Sequence, residues 1–174
     1  MQVGTRCRPL IGVLLGGGIA ATLDLAYAVL RNAGGGRPAL WTLQLVASGW
    51  LGPDSFDSGW SGGSLGVVSH YGILFVAAAL YYAASRRAPM LRSQPWLCGA
   101  LFGVTVYLFM NFVLLPLSAF PYQLTYPPLR LLEGFASHAV LVGIPIALSI
   151  RKFSRIDAPG ARLQAGDRGK EQPV

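Results

Sequence analysis

Apolar positions along the chain gather into four blocks, residues 9–30, 62–84, 95–117 and 131–150, separated by segments rich in glycine, proline and charge. The second block, 62–84, contains no Asp, Glu, Lys or Arg at all. Each block is close to the roughly 20 residues that a helix needs to cross the hydrocarbon core of a bilayer. The pattern predicts an all-α polytopic membrane protein with four transmembrane helices, because a helix satisfies its own backbone polar groups where water is excluded.

A fifth apolar stretch, 37–51 (RPALWTLQLVASGWL), is too short to span. It predicts a short interfacial helix in the first outer loop, lying along the membrane surface as an amphipathic element. Trp41, Trp50 and Trp60 suit the headgroup zone at that side, and Trp96 suits the opposite one. Glycine-rich turns at 34–36 and 52–64 bracket the element.

Composition agrees with the pattern: 53% of the 174 residues are hydrophobic and 12% charged, against roughly 25% charged in soluble domains. The net charge of +7 would fit a nucleic-acid partner, but the 14 basic residues are distributed by side. Arg6 and Arg8 precede the first block, Arg86, Arg87 and Arg92 follow the second, and Arg151, Lys152, Arg155, Arg162, Arg168 and Lys170 follow the fourth. Only Arg31, Arg37 and Arg130 belong to the other side. The positive-inside rule then places both termini in the cytoplasm of a bacterial inner membrane. No nucleic-acid partner is expected, since no zinc finger, aromatic RNA platform or basic recognition helix accompanies the charge. Cys7 and Cys98 both fall on the reduced, cytoplasmic side, so no disulfide is predicted. Residues 1–155 form the transmembrane domain, and the polar tail 156–174 is expected to be disordered. A signal peptide cleaved after Ala26-Tyr27-Ala28 is the competing reading of the N-terminus.

An internal repeat argues against that cleavage. Gly12 and Gly16 (GVLLG) precede Asp24 at the spacing with which Gly99 and Gly103 (GALFG) precede Asn111, and GVVSH at 66–70 is matched by GFASH at 134–138. The halves therefore read as two tandem helical hairpins, with an extra 19 residues in the loop of the first. Such parallel repeats are related by an axis along the membrane normal. Gly12, Gly16, Gly66, Gly99, Gly103 and Gly134 are expected to serve helix packing.

The same topology gives Asp24, His70, Asn111 and His138 a common depth, roughly 9 to 11 Å below the outer edge of the hydrocarbon core. Each helix contributes one polar side chain to a candidate layer. A carboxylate at the centre of a membrane helix costs about 2.5 to 3.5 kcal/mol, and an interhelical hydrogen bond returns only about 0.6. That imbalance favours a role beyond packing: a small transport or proton-transfer element. Pro145, which removes the hydrogen bond to the carbonyl of Leu141, adds the expectation of a mobile or kinked fourth helix. Two alternatives stand beside it, a non-catalytic partner or assembly protein of a membrane complex, and a redox protein using His70 and His138 as axial ligands to a b-type haem or as metal ligands. No phosphate loop, GxSxG or HExxH occurs, so enzymatic catalysis is not expected. The bilayer itself, a second copy or a membrane partner would be what the chain contacts.

Two segments, SHYGILFVAAALYYAASRRAPML (69–91) and GALFGVTVYLFMNFVLLPLSA (99–119), resemble those of small uncharacterised four-helix inner-membrane proteins of bacteria. The resemblance implies location and architecture and assigns no activity.

Overall fold

The computed structural model describes residues 8–153, and every regular element among them is helical. In chain order these are α1 (Arg8–Gly34), α2 (Ala39–Leu51), a 3₁₀ turn (Gly52–Phe56), α3 (Gly59–Arg87), the short α4 (Met90–Ser93) and α5 (Pro95–Phe109). A π-helical turn (Met110–Leu114) extends α5, and α6 (Pro128–Ser137) joins α7 (Ile144–Phe153) through a second π segment (His138–Gly143). Four stretches are long and apolar enough to cross a membrane: Pro9–Gly34, Gly59–Arg87, Pro95–Leu114 and Pro128–Phe153. The chain is a multi-pass membrane protein. Three of the four spans outrun their apolar blocks by a few residues, because backbone hydrogen bonding continues where hydropathy stops, through Arg31, Arg86 and Arg87. The expectations for the tail and for the thiol of Cys7 lie outside the described residues.

Packing follows the distribution of small residues. α1 lies between α3 and α7, and α5 lies along the α6–α7 span from the other flank. Gly12 and Gly16 bring α1 against Ile146, Ser149 and Phe153 of α7, while Gly99 and Gly103 bring α5 against His138, Gly143 and Ile144. Both glycine pairs therefore face the fourth span, from opposite sides. α3 meets α1 elsewhere, at Gly17, against Leu74 and Phe75. The motif repeats in sequence, but the two copies do not meet equivalent partners. Between the helices lies a dry core of Ala20, Ala21, Leu74, Ala77, Ala78, Tyr81, Val142, Ile146, Ala147 and Ile150.

The surface reverses the polarity of a soluble protein: Leu10, Leu80, Leu101, Leu117 and Val140 are exposed, as are Trp50, Trp60 and Trp96. The reversal holds for α2 as well. Its polar residues Thr42, Gln44 and Ser48 are buried, whereas Trp50 and Leu51 are exposed. Asn32 donates to Thr42 Oγ1 at 3.2 Å and Gln44 donates to the Gly59 carbonyl at 3.1 Å. α2 is thus packed into the bundle against α1 and α3, its polar side turned inward because the partners for those groups are there.

Each end of the bundle is stapled. At the end where α1 finishes and α6 begins, the Glu133 end, the Ala119 amide donates to the Gly49 carbonyl at 2.9 Å. A chain of rings, Trp41–Phe56–Tyr122–Phe120, covers that junction. At the opposite Arg151 end, Tyr81 donates its hydroxyl to the Leu91 carbonyl at 2.8 Å and ties α4 to α3.

Candidate functional site

Because α1 lies between α3 and the fourth span, a side chain on α1 can reach both. Asp24 does so. Its Oδ2 lies 3.8 Å from His70 Nε2 on α3, and its Oδ1 lies 3.9 Å from His138 Nδ1, the first residue of the π segment. All three side chains are largely buried, with 12 to 20% of their surface exposed. The separations exceed a direct hydrogen bond, so attraction between carboxylate and imidazole is electrostatic and depends on imidazole protonation.

The remaining contacts dictate where the imidazole hydrogens sit. His70 Nε2 is 3.1 Å from the Ala21 carbonyl, which can only accept, so Nε2 carries a hydrogen. Ser137 spends its hydroxyl hydrogen on the Gly134 carbonyl at 3.1 Å, and its oxygen is left to accept from His138 Nδ1, 3.3 Å away. In both rings the nitrogen facing Asp24 is therefore a donor. A second proton would enter at the far nitrogen, and the charge would be felt by the shared carboxylate. The rings are braced by edge contacts, His138 against Tyr107 at 5.0 Å between centroids and His70 against Tyr71 at 6.2 Å.

Asn111 is not brought into this group. It donates to the Tyr107 carbonyl one turn back at 2.9 Å, and its own carbonyl accepts from Tyr126 at 2.7 Å. The π turn that opens at Met110 takes the residues after it off the phase of an unbroken α-helix. The glycines of the two GxxSH motifs leave no open space beside the rings. A Cβ at Gly66 would collide with the Leu43 carbonyl, and one at Gly134 with the Tyr107 ring. Ser69, neighbour of His70, accepts from Trp50 Nε1 at 3.0 Å.

A second polar group escaped the reading of the sequence. Arg31 grips Glu133 with two bonds, Nε to Oε1 at 2.5 Å and a terminal guanidinium nitrogen to Oε2 at 2.9 Å, and Tyr27 donates to Oε1 at 2.6 Å. Asp24, Tyr27 and Arg31 stand at i, i+3 and i+7, on one face of α1, so this network begins about 4.5 Å above Asp24 and ends about 10.5 Å above it. Its charged pair is the more open of the two groups, 37% and 36% exposed. Below Asp24 the surroundings change: Ala20, Ala21, Val142 and Ile146 are fully buried and apolar. Polar side chains line one approach to Asp24, and hydrocarbon closes the other.

The convergence on Asp24 limits how the two rings could share a haem or metal. The nitrogens that converge carry hydrogens and a carboxylate stands between them, so a haem or metal could use only the outward nitrogens, Nδ1 of His70 and Nε2 of His138. Among the described residues, no group of three His, Cys, Asp or Glu side chains is disposed to hold a metal ion. No family model, curated protein or solved structure matches the chain.

Proposed function

We propose that the protein is a small proton-transfer or proton-coupled transport element of a bacterial inner membrane, with Asp24, His70 and His138 as its proton-binding group. One observation carries the reading: a single buried carboxylate within 4 Å of two imidazoles, supplied by three different membrane spans. Ionisable residues at such depth mark ion and proton pathways, and histidine exchanges protons near neutral pH. Protons would enter from the Glu133 end, where Arg31, Tyr27 and Glu133 offer a polar approach. Release on the other side would require the apolar contacts around Ala21 and Ile146 to part. The π segment at His138, followed two residues later by Pro145, is the place where the helix ladder is already broken. The distribution of basic residues supports cytoplasmic termini, and the sequence repeat supports an ancestral duplication of a helical hairpin.

A second reading, a polar layer that fixes helix register in an assembly protein, draws on the bond from His70 to the Ala21 carbonyl. pH-difference infrared spectroscopy separates the two. A proton-binding group predicts coupled titration, with the imidazole bands of both rings moving together and His70→Gln displacing the titration of His138. Independent titrations would overturn the reading. The thermal midpoint of Asp24→Asn adds a second discriminator. It should not fall, because among the described residues the carboxylate accepts no hydrogen bond and meets the two imidazoles only at 3.8 and 3.9 Å; a marked fall would assign Asp24 to structure.

A further inference from the structure

Among the described residues, and away from the Asp–His group, charge is most one-sided at the Arg151 end. Arg86 and Arg87 close α3, and Arg151 and Lys152 occupy the last turn of α7, all four exposed. α4, which carries Arg92, touches α3, α5 and α7 and so draws the two helix ends into one rim. The rim is fixed in place, with Tyr81 bonded to the Leu91 carbonyl and the Cys98 thiol 3.7 Å from the Met90 carbonyl. The acidic residues among those described are Asp24, Asp54, Asp57 and Glu133, and none lies at this end.

Depth indicates what faces the rim. α3 has 29 residues and so runs about 44 Å, which matches the roughly 40–45 Å of a bilayer with its headgroups. A helix of that length crossing from headgroup to headgroup brings its terminal arginines to the level of lipid phosphates, the level that exposed Trp96 at the start of α5 also suits. Cations in the last turn also favour the helix dipole, and charge bias guides insertion. Neither effect requires cations from separate helices to be gathered by a third element.

We infer that this rim is a binding surface for anionic phospholipid headgroups, its guanidinium groups engaging the phosphate in paired hydrogen bonds. The inference stands independently of the proton-transfer reading.

Native mass spectrometry of the full chain in detergent, titrated with phosphatidylglycerol or phosphatidylcholine, tests it. The wild type should retain the anionic lipid at least tenfold more tightly. The Arg86→Gln, Arg87→Gln, Arg151→Gln, Lys152→Gln variant should lose that preference, while Arg37→Gln, at the opposite end, keeps it. Where the fourfold variant fails to insert, the wild type in 0.5 M salt (~4 Å screening length) should show the same loss of preference. Equal retention of the two lipids, a preference surviving both treatments, or displacement by millimolar inorganic phosphate would overturn the inference, the last by revealing a site for soluble anions.

Discussion

At Gly103 the absence of a side chain is a condition of contact. A Cβ there would meet the His138 carbonyl within bonding range, and the π segment could not lie against α5 as it does. Gly72, on the lipid-facing side of α3, has open space around its missing Cβ. Gly103→Ala should therefore destabilise the bundle by about 1–3 kcal/mol, the usual cost of overpacking, and Gly72→Ala should leave it unchanged or slightly firmer. Thermal unfolding in detergent reads both. At this scale, the sequence made Asp24, His70 and His138 visible because a polar side chain in an apolar run stands out. Glu133 did not stand out, because it lies near the edge of its block and looks like a boundary residue. Its partners Tyr27 and Arg31 are more than 100 positions away, and no local spacing links them.

Elements add what single residues do not determine. The Arg31–Glu133 pair ties the start of α6 to the end of α1, across the approach to Asp24. More than a third of each side chain is exposed, so the pair contributes no more than about 1 kcal/mol. It can hold a local segment without governing the whole fold. Glu133→Gln should accordingly speed amide exchange across Pro128–Ser137 while moving the thermal midpoint by only a few degrees. Uniform acceleration throughout the chain, or none in α6, would show that the pair does not act as a local clamp. Helix positions were legible from hydropathy, whereas the π turns were not. The second π segment lies where Gly99 and Gly103 of α5 approach the fourth span closely, a contact of which hydropathy carries no trace. The inward polar face of α2 was hidden for a similar reason: polarity alone does not distinguish water from buried partners such as Asn32 and the Gly59 carbonyl.

Over the whole molecule, four spans place the two ends of the described chain on the same side of the membrane. The buried group is reached by polar side chains from the Glu133 end and closed by alanine, valine and isoleucine from the other. Sequence made the membrane class and the number of spans legible, since both depend on length and hydropathy. It did not reveal that both glycine pairs face the fourth span, because a repeat in sequence leaves open which neighbour each copy meets. That arrangement makes the fourth span the common partner of α1 and α5, and a shift of it would disturb the contacts on both sides of His138. Proton movement through Asp24, as proposed, is tested most directly by proton flux into proteoliposomes holding a pH-sensitive dye under an imposed gradient. The account predicts wild-type flux well above that of empty liposomes, cut at least tenfold by Asp24→Asn. Wild-type flux equal to that of empty liposomes, or an Asp24→Asn rate equal to wild type, would contradict it.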